Sequence, residues 1–132
     1  MTDLVHLLSQ PPAALTFTAS ADGRRTIGTT VGFVLDIWPD RVEAAALFPP
    51  DQPDLAARNG VLFQLLLAAT RPAWAGAEAW LVAQLRLAPT LARGQHRFDH
   101  IAQRVALIVD RAHSRATLRI VYATRPTNPP GA

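Results

Sequence analysis

The stretch Arg97-Phe98-Asp99-His100-Ile101-Ala102-Gln103-Arg104-Val105-Ala106-Leu107-Ile108-Val109-Asp110-Arg111-Ala112 decides the fold, because it reads two ways. As a helix, Phe98, Ile101, Ala102, Val105, Ile108, Val109 and Ala112 recur at i, i+3, i+4 and i+7. Arg97, His100, Arg104 and Arg111 then line the opposite side. As strands, the run Val105-Ala106-Leu107-Ile108-Val109 forms a hairpin with residues 117–123. The helical template accommodates more residues and is the expectation; the hairpin stands as its alternative.

Working outward, residues 116–123 read as the last strand, followed by the irregular tail Arg125-Pro126-Thr127-Asn128-Pro129-Pro130. Upstream, residues 79–87 read as a helix ended by Pro89. Residues 73–78 read as a short strand, parallel to the first if the preceding helix is a crossover. That preceding helix opens at Pro53-Asp54, with Asp54 as N-cap, and runs to about residue 70. Its second half, Val61-Leu62-Phe63-Gln64-Leu65-Leu66-Leu67-Ala68-Ala69, is apolar on nearly every face, which predicts burial on several sides.

Before it, residues 15–19 alternate as a strand, and Ala21-Asp22-Gly23-Arg24 turn the chain. Residues 29–37 and 41–48 follow as two more strands, joined at Trp38-Pro39-Asp40, and the three make an antiparallel meander. Residues 1–14 are an N-terminal arm stopped by Pro11-Pro12, and residues 15–132 are one domain. The expected class is α+β, in the order β-β-β-α-β-α-α-β, with a mixed five-stranded sheet and helices packed on it.

At 132 residues the chain can bury a core without staples, and it has no cysteine for disulfides or thiolate metal sites. Met1-Thr2-Asp3 lacks the basic start of a secretory signal. The longest apolar stretch, 61–69, falls short of the ~20 residues that cross a bilayer. The expectation is a cytoplasmic protein with no membrane partner. All thirteen basic residues are arginine, and the net charge is +3. Arginine favours forked contacts with phosphate and carboxylate. An Ala-, Arg- and Pro-rich chain without lysine also follows from a GC-rich genome, and so small a net charge does not single out a nucleic-acid partner.

Several strings resemble the ribonuclease H family, particularly its bacterial ribonuclease HI-like branch. Phe17-Thr18-Ala19-Ser20 resembles the signature of its first strand, and Gly28 with Val31-Gly32-Phe33-Val34-Leu35 resembles its second. Arg58-Asn59-Gly60-Val61-Leu62 resembles part of its first helix. The best matches are Glu78-Ala79-Trp80-Leu81-Val82-Ala83-Gln84-Leu85 and Leu118-Arg119-Ile120-Val121-Tyr122-Ala123-Thr124-Arg125-Pro126-Thr127-Asn128. The resemblance implies a ribonuclease H-like fold and two Mg²⁺ ions held by four carboxylates. Those four positions fall on Thr18 or Ala19, on Leu62 or (with a one-residue slip) Val61, on Glu78, and at or past Ala132, so only Glu78 is acidic. The expectation is therefore a pseudoenzyme, with no catalytic residues beyond a vestigial Glu78, no metal, and no cofactor unless residual Mg²⁺-dependent nuclease activity remains.

The resemblance, together with the arginines, implies binding to a nucleic-acid duplex or RNA/DNA hybrid. Its expected contacts are Arg24, Arg25, Asn59, Arg97, Arg104, Arg111, Arg125 and Asn128. A non-enzymatic protein-interaction module, as a homodimer or a subunit of a larger assembly, is the alternative. His96 and His100 have ligand spacing for zinc but no third partner, so a solvated helix start is preferred. Trp74 and Trp80 read as packing residues, and Trp38 at its turn is the better candidate contact.

Overall fold

Alternation of more and less buried residues along most strands builds one sheet with one covered side. The computed structural model describes residues 2–11, 13–69, 76–100 and 104–121. Helix α1 (Thr2–Leu8) leads into four strands, β1 (Thr16–Ala19), β2 (Thr26–Thr30), β3 (Phe33–Ile37) and β4 (Arg41–Leu47). Helices α2 (Pro53–Ala69) and α3 (Ala77–Leu87) follow, then β5 (Gln95–His100), β6 (Val105–Asp110) and β7 (Arg115–Val121). The sheet has seven strands in the order β1-β2-β3-β4-β7-β6-β5. Every neighbouring pair is antiparallel.

The α+β class matches the expectation, but the mixed five-stranded ribonuclease H-like sheet is corrected to this seven-stranded antiparallel one. Three misreadings account for the difference. The expected strand 29–37 is two strands, because Gly32 takes φ +67° and turns the chain between Thr30 and Phe33. Glu78, expected on a parallel strand, lies in the first turn of α3; residues 73–75 lie outside the described residues. The preferred helix over 97–112 is a hairpin, with His96 opposite Val109 and His100 opposite Val105.

The alternative hairpin is present as well, since β6 also pairs with β7, with Val105 opposite Ile120 and Ile108 opposite Thr117. Strand β6 is buried nearly throughout, from Val105 at 0% exposed to Asp110 at 9%. Such a strand loses the two-residue alternation that would have declared it. Cross-strand neighbours do the covering, with Ala106 set between Asp99 of β5 and Arg119 of β7.

The covered side is built in rows. Leu35, Ala44, Leu118 and Leu107 are neighbours across four strands, and Ile37, Val42, Ile120 and Val105 form the next row. All eight are buried. Against them α2 turns Leu62, Phe63, Leu66 and Leu67, α3 adds Leu81, and α1 adds Leu4 and Leu8. Phe63 meets Phe33 at 6.0 Å between ring centroids and Phe48 edge-on at 5.6 Å. Full burial of such a ring contributes roughly 1.5–3 kcal/mol.

One polar group sits inside this apolar layer. Asn59 is 0% exposed, and its amide donates to the carbonyls of Gly32 (3.1 Å) and Leu47 (2.8 Å). Its Oδ1 accepts from Arg58 Nε (3.1 Å) and Nη2 (2.8 Å), and Arg58 also donates to the Val31 carbonyl. The pair ties α2 to the β2–β3 turn and to the end of β4. A buried amide so committed has no donor left for a ligand.

Candidate functional site

The residues between the buried ones point to the sheet's other side, which none of the helices covers. A row of partners crosses all seven strands there: Thr16, Thr29, Val34, Ala45, Thr117, Ile108 and Arg97. Only its last member is charged. Val34 is 42% exposed, and Leu47, on the same side, is 41% exposed. The adjacent row runs through Asp36, Glu43, Arg119, Ala106 and Asp99, and is mostly charged.

Those charges are matched. Arg25 Nε lies 2.9 Å from Asp36, Arg97 Nε 2.9 Å from Asp99, and Arg41 Nε 3.2 Å from Glu43. Glu43 also receives Arg119 Nε at 3.5 Å, and Asp110 receives Arg115 at 3.5 Å. Trp38, half-buried beside this network, has the Arg41 guanidinium 4.0 Å and the Arg25 guanidinium 5.3 Å from its ring centroid. Each arginine of this face thus has a carboxylate within reach, and the face carries alternating rather than excess charge.

The expected nucleic-acid contacts are scattered. Arg24 is exposed in the β1–β2 turn, where Ser20 Oγ donates to Asp22 at 2.6 Å and Arg24 N donates to it at 3.0 Å. These two hydrogen bonds, the hydroxyl first, hold the Asp22 carboxyl below its ordinary range. Arg25 follows at the start of β2. Arg97 is on β5, five strand spacings from β2, or about 24 Å. Arg104 and Arg111 flank opposite ends of β6, and Arg111 Nε donates to the Leu91 carbonyl at 3.2 Å. Asn59 is in the helical layer, while Arg125 and Asn128 lie outside the described residues. The stripe expected for Arg97, His100, Arg104 and Arg111 on a helix is corrected, because a two-residue period sends its members to different sides. Arg97 faces the open side, and His100 packs inward, 5.5 Å edge-on to Trp80.

The positions expected from the ribonuclease H resemblance do not meet either. Thr18 faces the open side of β1, Leu62 is in the core of α2, and Glu78 is exposed on α3; Ala132 lies outside the described residues. Ala19 ends β1 at the sheet's edge. His96, expected at a helix start, is on β5 with its ring nitrogen 2.7 Å from the Ala92 carbonyl. Among the described residues no group of three or more His, Asp or Glu side chains is placed to hold a metal ion. No described helix is long and apolar enough to cross a membrane.

Sequence reasoning missed two features. The ion pairs of the open face went unread: Arg41–Glu43 and Arg97–Asp99 are two residues apart on one strand, while Arg119–Glu43 is revealed only by the β4–β7 register. At the β6–β7 turn, Asp110 Oδ2 lies 2.8 Å from His113 Nδ1, and this hydrogen bond holds the Asp110 carboxyl below its ordinary range. An acidic residue closing an apolar run three positions before a histidine was the available signal. No protein-family model, no curated protein and no solved structure matches the chain.

Proposed function

We propose that the protein is a non-enzymatic interaction module that pairs with a second copy of itself through the open face of the sheet. The observation that carries this reading is the face's internal charge matching. Five arginines, Arg25, Arg41, Arg97, Arg115 and Arg119, each have a carboxylate within 3.5 Å. To neutralise phosphates they would first give up those partners. A surface of alternating sign complements another of the same kind, as a two-fold contact requires. The uncharged row from Thr16 to Ile108, with Val34, Ala45 and Ile108 among its threonines, supplies a centre without charge beside the charged row.

The sheet's edges also favour the face, whose modest size sets the expected strength. Strands of four to seven residues, seven abreast, present a face of roughly 600 Å². One partner of a specific interface contributes about 800 Å², so the expected dimer is weak, in the micromolar range. The edges are poorer docking sites: β1 has four residues, and β5 carries His96, Arg97, Asp99 and His100. Two sheets packed face to face would form a sandwich with the helices outside.

Sedimentation equilibrium from micromolar to millimolar protein tests the proposal. The expected result is a reversible monomer–dimer equilibrium that Val34→Arg abolishes without lowering thermal stability. Anisotropy titrations with single-stranded, duplex and hybrid oligonucleotides at low salt run beside it. A protein monomeric at every concentration, or one whose oligonucleotide affinity falls steeply with salt, would overturn the reading in favour of a nucleic-acid module.

A further inference from the structure

A second site lies at one end of the sheet, where β4 runs into α2, and it shares Asp110 and Arg115 with the rim of the open face. There the last turn of α3 and the β6–β7 turn enclose a pocket of about 380 Å³. Its walls are largely apolar, with Phe48, Pro53, Leu85 and Val109 among them. Three charged side chains also line it: Asp110, Arg111 and Arg115.

The charges there are unequal. Asp110 is occupied by His113 at 2.8 Å and by Arg115 at 3.5 Å. Arg111 has no carboxylate: its Nε donates to the Leu91 carbonyl at 3.2 Å, and its two Nη groups have no partner among the described residues. The backbone hydrogen bond fixes the stem of the side chain, and the fork remains open. A guanidinium held against an apolar wall favours an anion, because a neutral occupant would leave it unpaired and a cation would be repelled. Volume limits the occupant: at ~30 Å³ per group of water's size, the pocket takes about a dozen non-hydrogen atoms.

We infer that this pocket binds a small amphiphilic carboxylate, with its apolar body between α2, α3 and β6 and its carboxylate on Arg111. Val34 and Arg111 are not shared between the two sites, so a monomeric Val34→Arg variant should retain the pocket and Arg111→Gln should leave self-association unchanged.

Titration calorimetry with decanoate, decanol, decylammonium and decyl phosphate tests the inference on the full chain. Decanoate should bind once per chain, at least tenfold more tightly than decanol, and decylammonium should not bind. Arg111→Gln should bring decanoate down to the affinity of decanol and leave decanol unchanged. Ala88→Phe, which adds bulk to the pocket wall, should abolish both, with melting curves confirming that each variant folds. No decanoate binding to the wild-type protein would overturn the inference. Equal affinity for decanoate and decanol, or binding that survives both variants, would overturn it too. Decyl phosphate tighter than decanoate by tenfold would overturn the choice of head group.

Discussion

The two sides of the sheet are built from the same strands, one residue out of step, yet they are held together by different forces. On the covered side, Leu35, Ala44, Leu118 and Leu107 interlock beneath three helices, and all four are buried. On the open side, their sequence neighbours Val34, Ala45, Thr117 and Ile108 form an uncharged row beside ion pairs that bridge the strands. Removing apolar area from water drives the first arrangement and scales with the area buried. Exposed ion pairs contribute little to folding, typically under about 1 kcal/mol each. The comparison separates their duties: the covered side makes the fold, and the open side is free to specify a partner.

The strongest way to break that comparison is to hollow the covered side. Leu118→Ala should lower the unfolding free energy by about 3–5 kcal/mol in urea titrations, through lost transfer energy and the cavity left behind. Its neighbour Thr117→Ala, on the open side, should change it by less than about 1 kcal/mol. Equal losses would contradict the separation.

Next comes the polar latch. Asn59→Ala removes the amide donor to the Leu47 carbonyl and one of two donors to the Gly32 carbonyl, which keeps the Leu47 N–H at 2.9 Å. It should cost about 1–3 kcal/mol by the same assay, more than an exposed hydrogen bond. Gly32→Ala should cost about 1–2 kcal/mol, since φ is +67° and the new Cβ would sit 3.2 Å from a Leu55 methyl.

The smallest expected effect is on pH dependence. In the folded chain the Asp110 carboxyl titrates below its unfolded value, chiefly through the His113 hydrogen bond. Its stabilising contribution is therefore present above roughly pH 4, and it fades as pH falls through the depressed native value. Asp110→Asn should melt below the wild type at neutral pH, and the two melting curves should draw together as the solution is acidified past that point. A gap that stays constant into acid would show that the carboxylate's charge plays no part.

How far the fold could be read from the sequence depended on how each segment advertises itself. Pro53-Asp54 announced α2, Pro89 closed α3, and the Trp38-Pro39-Asp40 turn with Arg41-Val42-Glu43 after it gave β4. The β2–β3 turn was hidden because Thr29-Thr30-Val31 continues a β-branched run straight into Gly32. The β5–β6 hairpin was hidden twice over: residues 100–104 contain no glycine or proline, and β6 is buried on both sides. Its apolar residues then fit a helical spacing by coincidence. The expected parallel strand over 73–78 came from reading the preceding helix as a crossover, and Glu78 instead opens α3. Of the candidate face, the arginines were visible but their partners were not, because Glu43 and Arg119 meet only through the β4–β7 register.

The absence of cysteine makes the central claim directly testable. Ala45 lies at the middle of the central strand on the open side, and Ala83 lies on an exposed position of α3. Each is replaced singly by cysteine, and the folded protein is treated with a short bis-maleimide that spans the ~10 Å between packed sheets. The account predicts a covalent dimer from Ala45→Cys that Val34→Arg suppresses, and monomer from Ala83→Cys. Cross-linking through Ala83→Cys with Ala45→Cys left monomeric would place the contact on the helices and contradict it.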